Sequence, residues 1–404
     1  MSVEAQLKQL LQTKPQTKIG LVLFEDKIHL YGDCMLPCQT FDGKILSDFE
    51  SILSTSEKLS KEYMNSSIKN SFTTIVDKLK KISPKGSTAL GPALLFSLGL
   101  LNDCLFGSQI IICTDGLANE GLGTIEGSDE SKLIDSKTFY YSIGKLAKEK
   151  GASISVISLV ESECRLDMLS PIADLTGGDI LRVDPTKLQK NLENIISDSI
   201  IATKVKVAIR IPTYCEFKNV IYGKLSKRNS LLIKKLGNVT NETIFSFEFM
   251  LKTPDKLSYH FLIQELPLIR YIPIQARITY RNLDRITYTK IINKQFEITY
   301  DFNEIAKFRN SSILGYRFFQ YASDLSRQGS YNEAHIYIQN QLRNYSNDLL
   351  ITNLLSPLNQ ALEDQTKTTG NKNDTQNQKD KLTQRINQAA KTKKFVDCND
   401  FIIV

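Results

Sequence analysis

At 404 residues, with 41% hydrophobic and 24% charged side chains, the chain has the composition of a soluble globular protein and length for two or three domains. Its net charge of +7 is mild and spread along the sequence, which argues against nucleic acid as a partner. No apolar run approaches the ~20 residues that span a bilayer, no signal-peptide core opens the chain, and seven cysteines without CxxC pairs point to reduced thiols in a cytoplasmic protein.

Val3, Leu7, Leu10 and Leu11 recur at helical spacing and predict a first helix. Lys18 to Phe24 and Lys27 to Tyr31 predict two strands joined by a tight turn at Glu25-Asp26. Residues 45–63 and 66–82 give two helical patterns, the second stopped by Pro84 and Gly86. After the turn GSTALG, Ala89 to Leu101 is a nearly all-apolar helix, which implies burial on every side. Ile110 to Cys113 is an uninterrupted apolar run and predicts a strand buried on both faces; Thr114-Asp115-Gly116 then turns into a loop rich in glycine. That loop carries Glu120, Glu126, Asp129 and Glu130, and reads either as a solvated surface or as a specificity loop. Lys137 to Lys150, Ser153 to Val160, Arg165 to Leu175, Ile180 to Val183 and Pro185 to about Ser199 continue as helix, strand, helix, strand, helix. The alternation predicts an α/β domain over residues 1–200 with a doubly wound, mostly parallel sheet.

From residue 201 the texture changes to short alternating runs at roughly ten-residue spacing, such as VKVAIRI, YHFLIQEL and IPIQARITYR, the pattern of an antiparallel β-sandwich over 201–302. Ile305 to Arg327 and Tyr331 to Leu342 predict a helical hairpin within 303–363. Residues 364–381 are polar and low in complexity and are expected to be a disordered linker; residues 382–404 form a tail ending in the apolar Phe401 to Val404.

GSTALGPAL followed by IIICTDG resembles the von Willebrand factor A domain. The resemblance implies that Thr88 and Asp115 supply oxygen ligands to a divalent cation such as Mg²⁺ at a metal-ion-dependent adhesion site. A hard cation takes about six oxygens, so water or a partner's carboxylate would complete the shell. The alternative is that Thr88 caps the following helix while Asp115 hydrogen-bonds across the loop. The family's first strand, ending in Asp-x-Ser-x-Ser, has no counterpart, and a start at the first helix reads as a truncated or diverged chain. Its absence predicts a hole in the sheet between Lys18–Phe24 and Ser108–Cys113. Direct pairing of the flanking strands, a strand from a partner, or the tail Phe401 to Val404 could fill it; direct closure or an open gap is favoured.

An enzyme is not expected. The three histidines, His29 on the edge hairpin, His260 in a sandwich strand and His335 on a helix, fall in segments that do not approach Asp115, and no Walker loop, GxGxxG or serine elbow occurs. The reading is a cytoplasmic protein-interaction module or scaffold, bound to protein partners and not to nucleic acid or across a membrane, with weak metal assistance. The domain order also resembles the coat protein trunk of secretory vesicles and a group of RING-containing ubiquitin ligases, although no RING cysteine and histidine set is present. An accessory subunit of a ubiquitin ligase or vesicle-coat complex, with catalytic parts on other chains, is the alternative.

Overall fold

A computed structural model describes residues 2–82, 86–104, 107–127, 130–159, 164–299, 301, 303–304, 307, 309–367 and 372–390. Pro84, Asp129 and the tail from 391, including Phe401 to Val404, lie outside the described residues. The chain forms two compact units, one of residues 1–201 with 372–384 and one of residues 202–371 with 385–404.

The first unit runs α1 (Ser2–Thr13), β1 (Leu21–Phe24), β2 (Ile28–Gly32), β3 (Gln39–Phe41), α2 (Phe49–Tyr63), α3 (Ile68–Leu79), α4 (Leu90–Leu100), β4 (Gln109–Thr114), α5 (Glu130–Lys150), β5 (Ser153–Leu159), α6 (Leu166–Thr176), β6 (Ile180–Val183) and α7 (Leu188–Ser197). The apolar α4 sits in the core: Leu90, Ala93, Leu94, Leu95, Phe96 and Leu98 are all buried. Each large side chain there contributes about 1.5–3 kcal/mol of burial. Two glycines let neighbours approach α4. A Cβ on Gly91 would stand 2.0 Å from the Leu122 carbonyl oxygen, and one on Gly99 1.8 Å from Ser56 Oγ.

Strands β4, β5 and β6 form a parallel sheet with Ile110 beside Ile154 and Val156 beside Ile180. Strands β1, β2 and β3 form a separate antiparallel sheet. Direct closure of the hole is therefore not what forms, because β1 and β4 belong to different sheets. Strand β4 also departs from the expectation of burial on both faces: Ile110 and Ile111 are half-buried and Cys113 is exposed. Its neighbour β5 is buried from Ser153 to Ser158.

The second unit contains β7 (Ile200–Arg210), β8 (Cys215–Lys218), β9 (Lys224–Leu225), β10 (Leu231–Thr240), β11 (Glu248–Leu251), β12 (Tyr271–Arg281) and β13 (Thr287–Glu297). A five-stranded sheet of order β13-β12-β7-β10-β9, with β12 antiparallel to both neighbours, shares one apolar core with the β8–β11 pair. YHFLIQEL is not a strand. It forms helical turns at Phe261–Glu265 and Leu266–Leu268, where Tyr259, Ile263 and Leu268 are exposed, so His260 is not in a sheet. Pro267, directly after the run, cannot donate to a strand ladder.

Beyond the sheets, α8 (Ser311–Arg327), α9 (Tyr331–Asn344) and α10 (Leu349–Lys367) each pack on the other two, a three-helix array rather than a hairpin. The expected disordered linker is helical where described: its first residues end α10, and α11 (Lys372–Ala390) takes up the rest. Residues 372–384 of α11 belong to the first unit, with Leu382 and Asp380 buried. Asp380, buried, accepts the Leu166 N–H at 2.9 Å and so caps α6, and the Gln376 amide donates to both Asp380 and Asp167.

Candidate functional site

Thr114 ends β4 with a tight hydroxyl turn. Its Oγ1 donates to the Gly116 carbonyl at 3.1 Å and accepts the Gly116 N–H at 3.3 Å, which leaves Asp115 exposed at the strand end. The Thr88 loop lies against the same turn, since a Cβ on Gly116 would be 3.2 Å from Thr88 Oγ1. Two anchors hold that loop. The Ala89 N–H donates to the carbonyl of Glu25, the residue after β1, at 2.7 Å. Asn119 accepts the Thr88 N–H at 2.6 Å and donates its own N–H to the Thr88 carbonyl at 3.1 Å, while its amide donates to Glu126 at 2.7 Å.

The helix-capping alternative for Thr88 does not form, because the N-cap of α4 is Ala89 and no side chain caps it. As a cation site the corner is short of donors. Thr88 and Asp115 offer two oxygens, and among the described residues no three His, Cys, Asp or Glu side chains gather where they could hold a metal. A hard cation needs about six oxygens, so the residues present do not by themselves make a Mg²⁺ site.

The corner is the mouth of a larger feature. β1 and β4, each paired on one edge among the described residues, line one cleft of about 2110 Å³ inside the first unit. The Thr88 loop touches the end of β1 through Glu25 and the end of β4 through Gly116. Its lining includes Leu90, Ala93 and Leu94 of α4 and Leu7, Leu10 and Leu79 of α1 and α3. Cys113 opens into the cleft. It is reached by solvent yet surrounded by protein, and desolvation pushes its thiol up to about 11. His29 also lines the cleft. Both its ring nitrogens are engaged, Nδ1 with Thr40 at 3.0 Å and Nε2 with Glu25 at 3.1 Å.

Asn119 escaped the sequence reading. Its only signal is an amide four residues beyond Asp115 in a loop of glycines, the residue type that ties loops together through both donor and acceptor.

Residues 1–198 match the family model of the Sec23/Sec24 trunk domain. A curated relative, circularly permutated Ras protein 1 of Dictyostelium discoideum, is 26% identical over 346 residues, covering 84% of this chain and 38% of that protein. The chain thus spans well under half the length of this relative. Among solved structures, the human COPII-coat protein Sec24c aligns with 97% of this chain and 56% of its own at a TM-score of 0.58 and 12% identity. The ArnB paralog VWA2 of Sulfolobus acidocaldarius aligns more weakly, at a TM-score of 0.40 and 11% identity over 97% of this chain and 83% of its own. The fold of the chain is therefore shared with Sec24c, and its first 198 residues carry the match to the Sec23/Sec24 trunk domain.

Proposed function

We propose that this chain is a protein-interaction scaffold of vesicle-coat type, acting in the cytoplasm without catalysis of its own. The observation that carries the reading is the trunk-domain match over residues 1–198. The strand-end corner supports it by what it offers: an exposed carboxylate and a hydroxyl suit recognition, and both nitrogens of the cleft histidine are already engaged. Metal assistance at Thr88 and Asp115 is a subordinate part of the proposal, since a partner's oxygens would have to complete the shell.

A second reading has its own support. The relative from Dictyostelium is named as a Ras protein, and this chain covers 38% of it. On that reading the chain is the accessory part of an assembly whose nucleotide chemistry lies elsewhere; the ubiquitin-ligase version has no comparable observation. Capture of partners on the purified, immobilised chain, in Mg²⁺ and in EDTA, tests the scaffold. Recovery of coat subunits in both buffers is expected. Turnover of nucleotide or ester substrates by the purified chain alone would contradict it.

A further inference from the structure

In the second unit the five-stranded sheet ends on β13, which pairs with β12 along one edge and, among the described residues, with no strand along the other. The pairing with β12 is continuous, from Tyr271 beside Glu297 to Arg281 beside Thr287, so the register of this edge is fixed. Nearly all of β13 is exposed, only Ile292 and Phe296 being half-buried. An exposed edge of this kind presents a row of amide and carbonyl groups on which a further strand can form.

Alternate side chains of a strand point to opposite faces, and the register tells the two sides of β13 apart. Ile272, Ile274, Ala276, Ile278 and Tyr280 of β12 belong to the sandwich core, and their partners across the pair are Phe296, Lys294, Ile292, Lys290 and Tyr288. The core side of the edge strand thus carries two lysines set around one isoleucine, with Tyr288 stacked on Tyr280 at 5.7 Å. Charge is biased along the whole hairpin: residues 270–297 hold six Lys and Arg against Asp284 and Glu297. We propose that β13 is the docking edge for an extended acidic segment of a partner protein, which adds a sixth strand to the sheet. The register defines the segment as acidic, any, apolar, any, acidic, its carboxylates opposite Lys290 and Lys294 and its apolar residue opposite Ile292.

A second copy of the chain is a poor occupant. β13 against β13, antiparallel and centred on Ile292, sets each Lys290 opposite the other's Lys294, and like charges directly opposed destabilise a strand pair. Lysines on an exposed edge keep such strands from joining one another, and the same charges attract a strand that carries acids. A helix would not serve, since its backbone groups are paired internally and leave the edge unmatched. The inference lies within the second unit and does not depend on the coat reading, which rests on residues 1–198.

The test adds a fluorescent peptide, Thr-Glu-Thr-Val-Thr-Glu-Thr, to the full chain and follows its anisotropy together with amide hydrogen exchange of the protein. One control peptide carries lysines in place of the glutamates. Another is N-methylated at every amide of the central Glu-Thr-Val-Thr-Glu and cannot pair as a strand. The expected result is saturable binding of the acidic peptide that weakens severalfold with added salt and slows exchange over residues 287–297 at least about tenfold, with neither control binding. Lys290→Glu combined with Lys294→Glu should lose the acidic peptide by at least about tenfold and gain the lysine peptide. The unmodified chain with the three peptides decides the matter without that variant. Equal binding of either control, or binding that leaves residues 287–297 unprotected, would overturn the proposal. So would no binding at all, or a dimer of the chain that protects residues 287–297 without any peptide.

Discussion

Strands β4 and β5 lie side by side in one parallel sheet and are built from similar residues, yet β5 is sealed and β4 is not. Gln109-Ile-Ile-Ile-Cys-Thr114 is, if anything, the more apolar of the two. The difference is position: among the described residues β5 has a strand on each edge and β4 on one, and the cleft lies along β4. Burial of a strand is thus a property of the sheet around it, and the two strands can be separated by experiment.

The largest separation should come from truncating register partners. Ile154→Ala, in β5, removes a fully buried side chain and is expected to cost about 2–4 kcal/mol in urea unfolding. Ile110→Ala, its neighbour in β4, is half-buried and should cost about 1 kcal/mol or less. Equal costs would show that β4 is as sealed as β5.

A second contrast lies at the start of α6, where α11 presents a buried carboxyl to the Leu166 N–H. Burial, aided by the nearby Asp167, pushes Asp380 up to about 6 from the ordinary 3.8, against the opposing hydrogen bonds from Gln376 and Leu166. A raised acid is neutral more readily in the folded state. The stability this group contributes is therefore full below pH about 4 and is lost as pH rises through 6, a swing of about 1–3 kcal/mol. Asp380→Asn should flatten that part of the pH–stability curve and raise the melting temperature at pH 7.5. An unchanged curve would mean that the carboxyl is not held in this environment.

Thiol chemistry gives a smaller but cleaner difference. Cys113 opens into the cleft, whereas Cys164, at the C-terminal side of β5, is buried with its Sγ 3.9 Å from the Thr114 carbonyl oxygen. A small alkylating reagent should modify Cys113 in the native protein, slowly because its thiol titrates near 11, and Cys164 only on unfolding. Smallest of all is the effect of Asp115→Ala. With two protein oxygens at the corner, neither this change nor millimolar Mg²⁺ should move the unfolding free energy of the free chain by more than about 0.5 kcal/mol. A marked Mg²⁺-dependent stabilisation lost in Asp115→Ala would reveal a shell that Thr88 and Asp115 do not complete alone.

The order of helices and strands in the first unit, apart from the short β3, was legible in its sequence because apolar spacing and glycine or proline stops agree there. The run Ala89 to Leu101 announced its own burial. What periodicity could not express was the neighbourhood: Ile110 to Cys113 reads as sealed whether or not a strand lies beside it. Residues 364–381 misled for the opposite reason. Their docking uses Gln376 and Asp380, polar residues that give no apolar stripe, so a packed helix looked like a linker. YHFLIQEL carried a strand's composition but folds as helical turns. At the corner, the motifs marked Thr88 and Asp115, while Asn119, which ties the two loops together, is one amide among many polar loop residues.

The most direct measurement of the open sheet is amide hydrogen exchange on the full chain without any added ligand. Residues 21–24 and 109–114 are expected to exchange at least about a hundredfold faster than residues 153–158 of β5, because among the described residues one edge of each strand has no strand beside it. Protection of β4 equal to that of β5 would show the cleft filled or closed in solution, and would contradict the account.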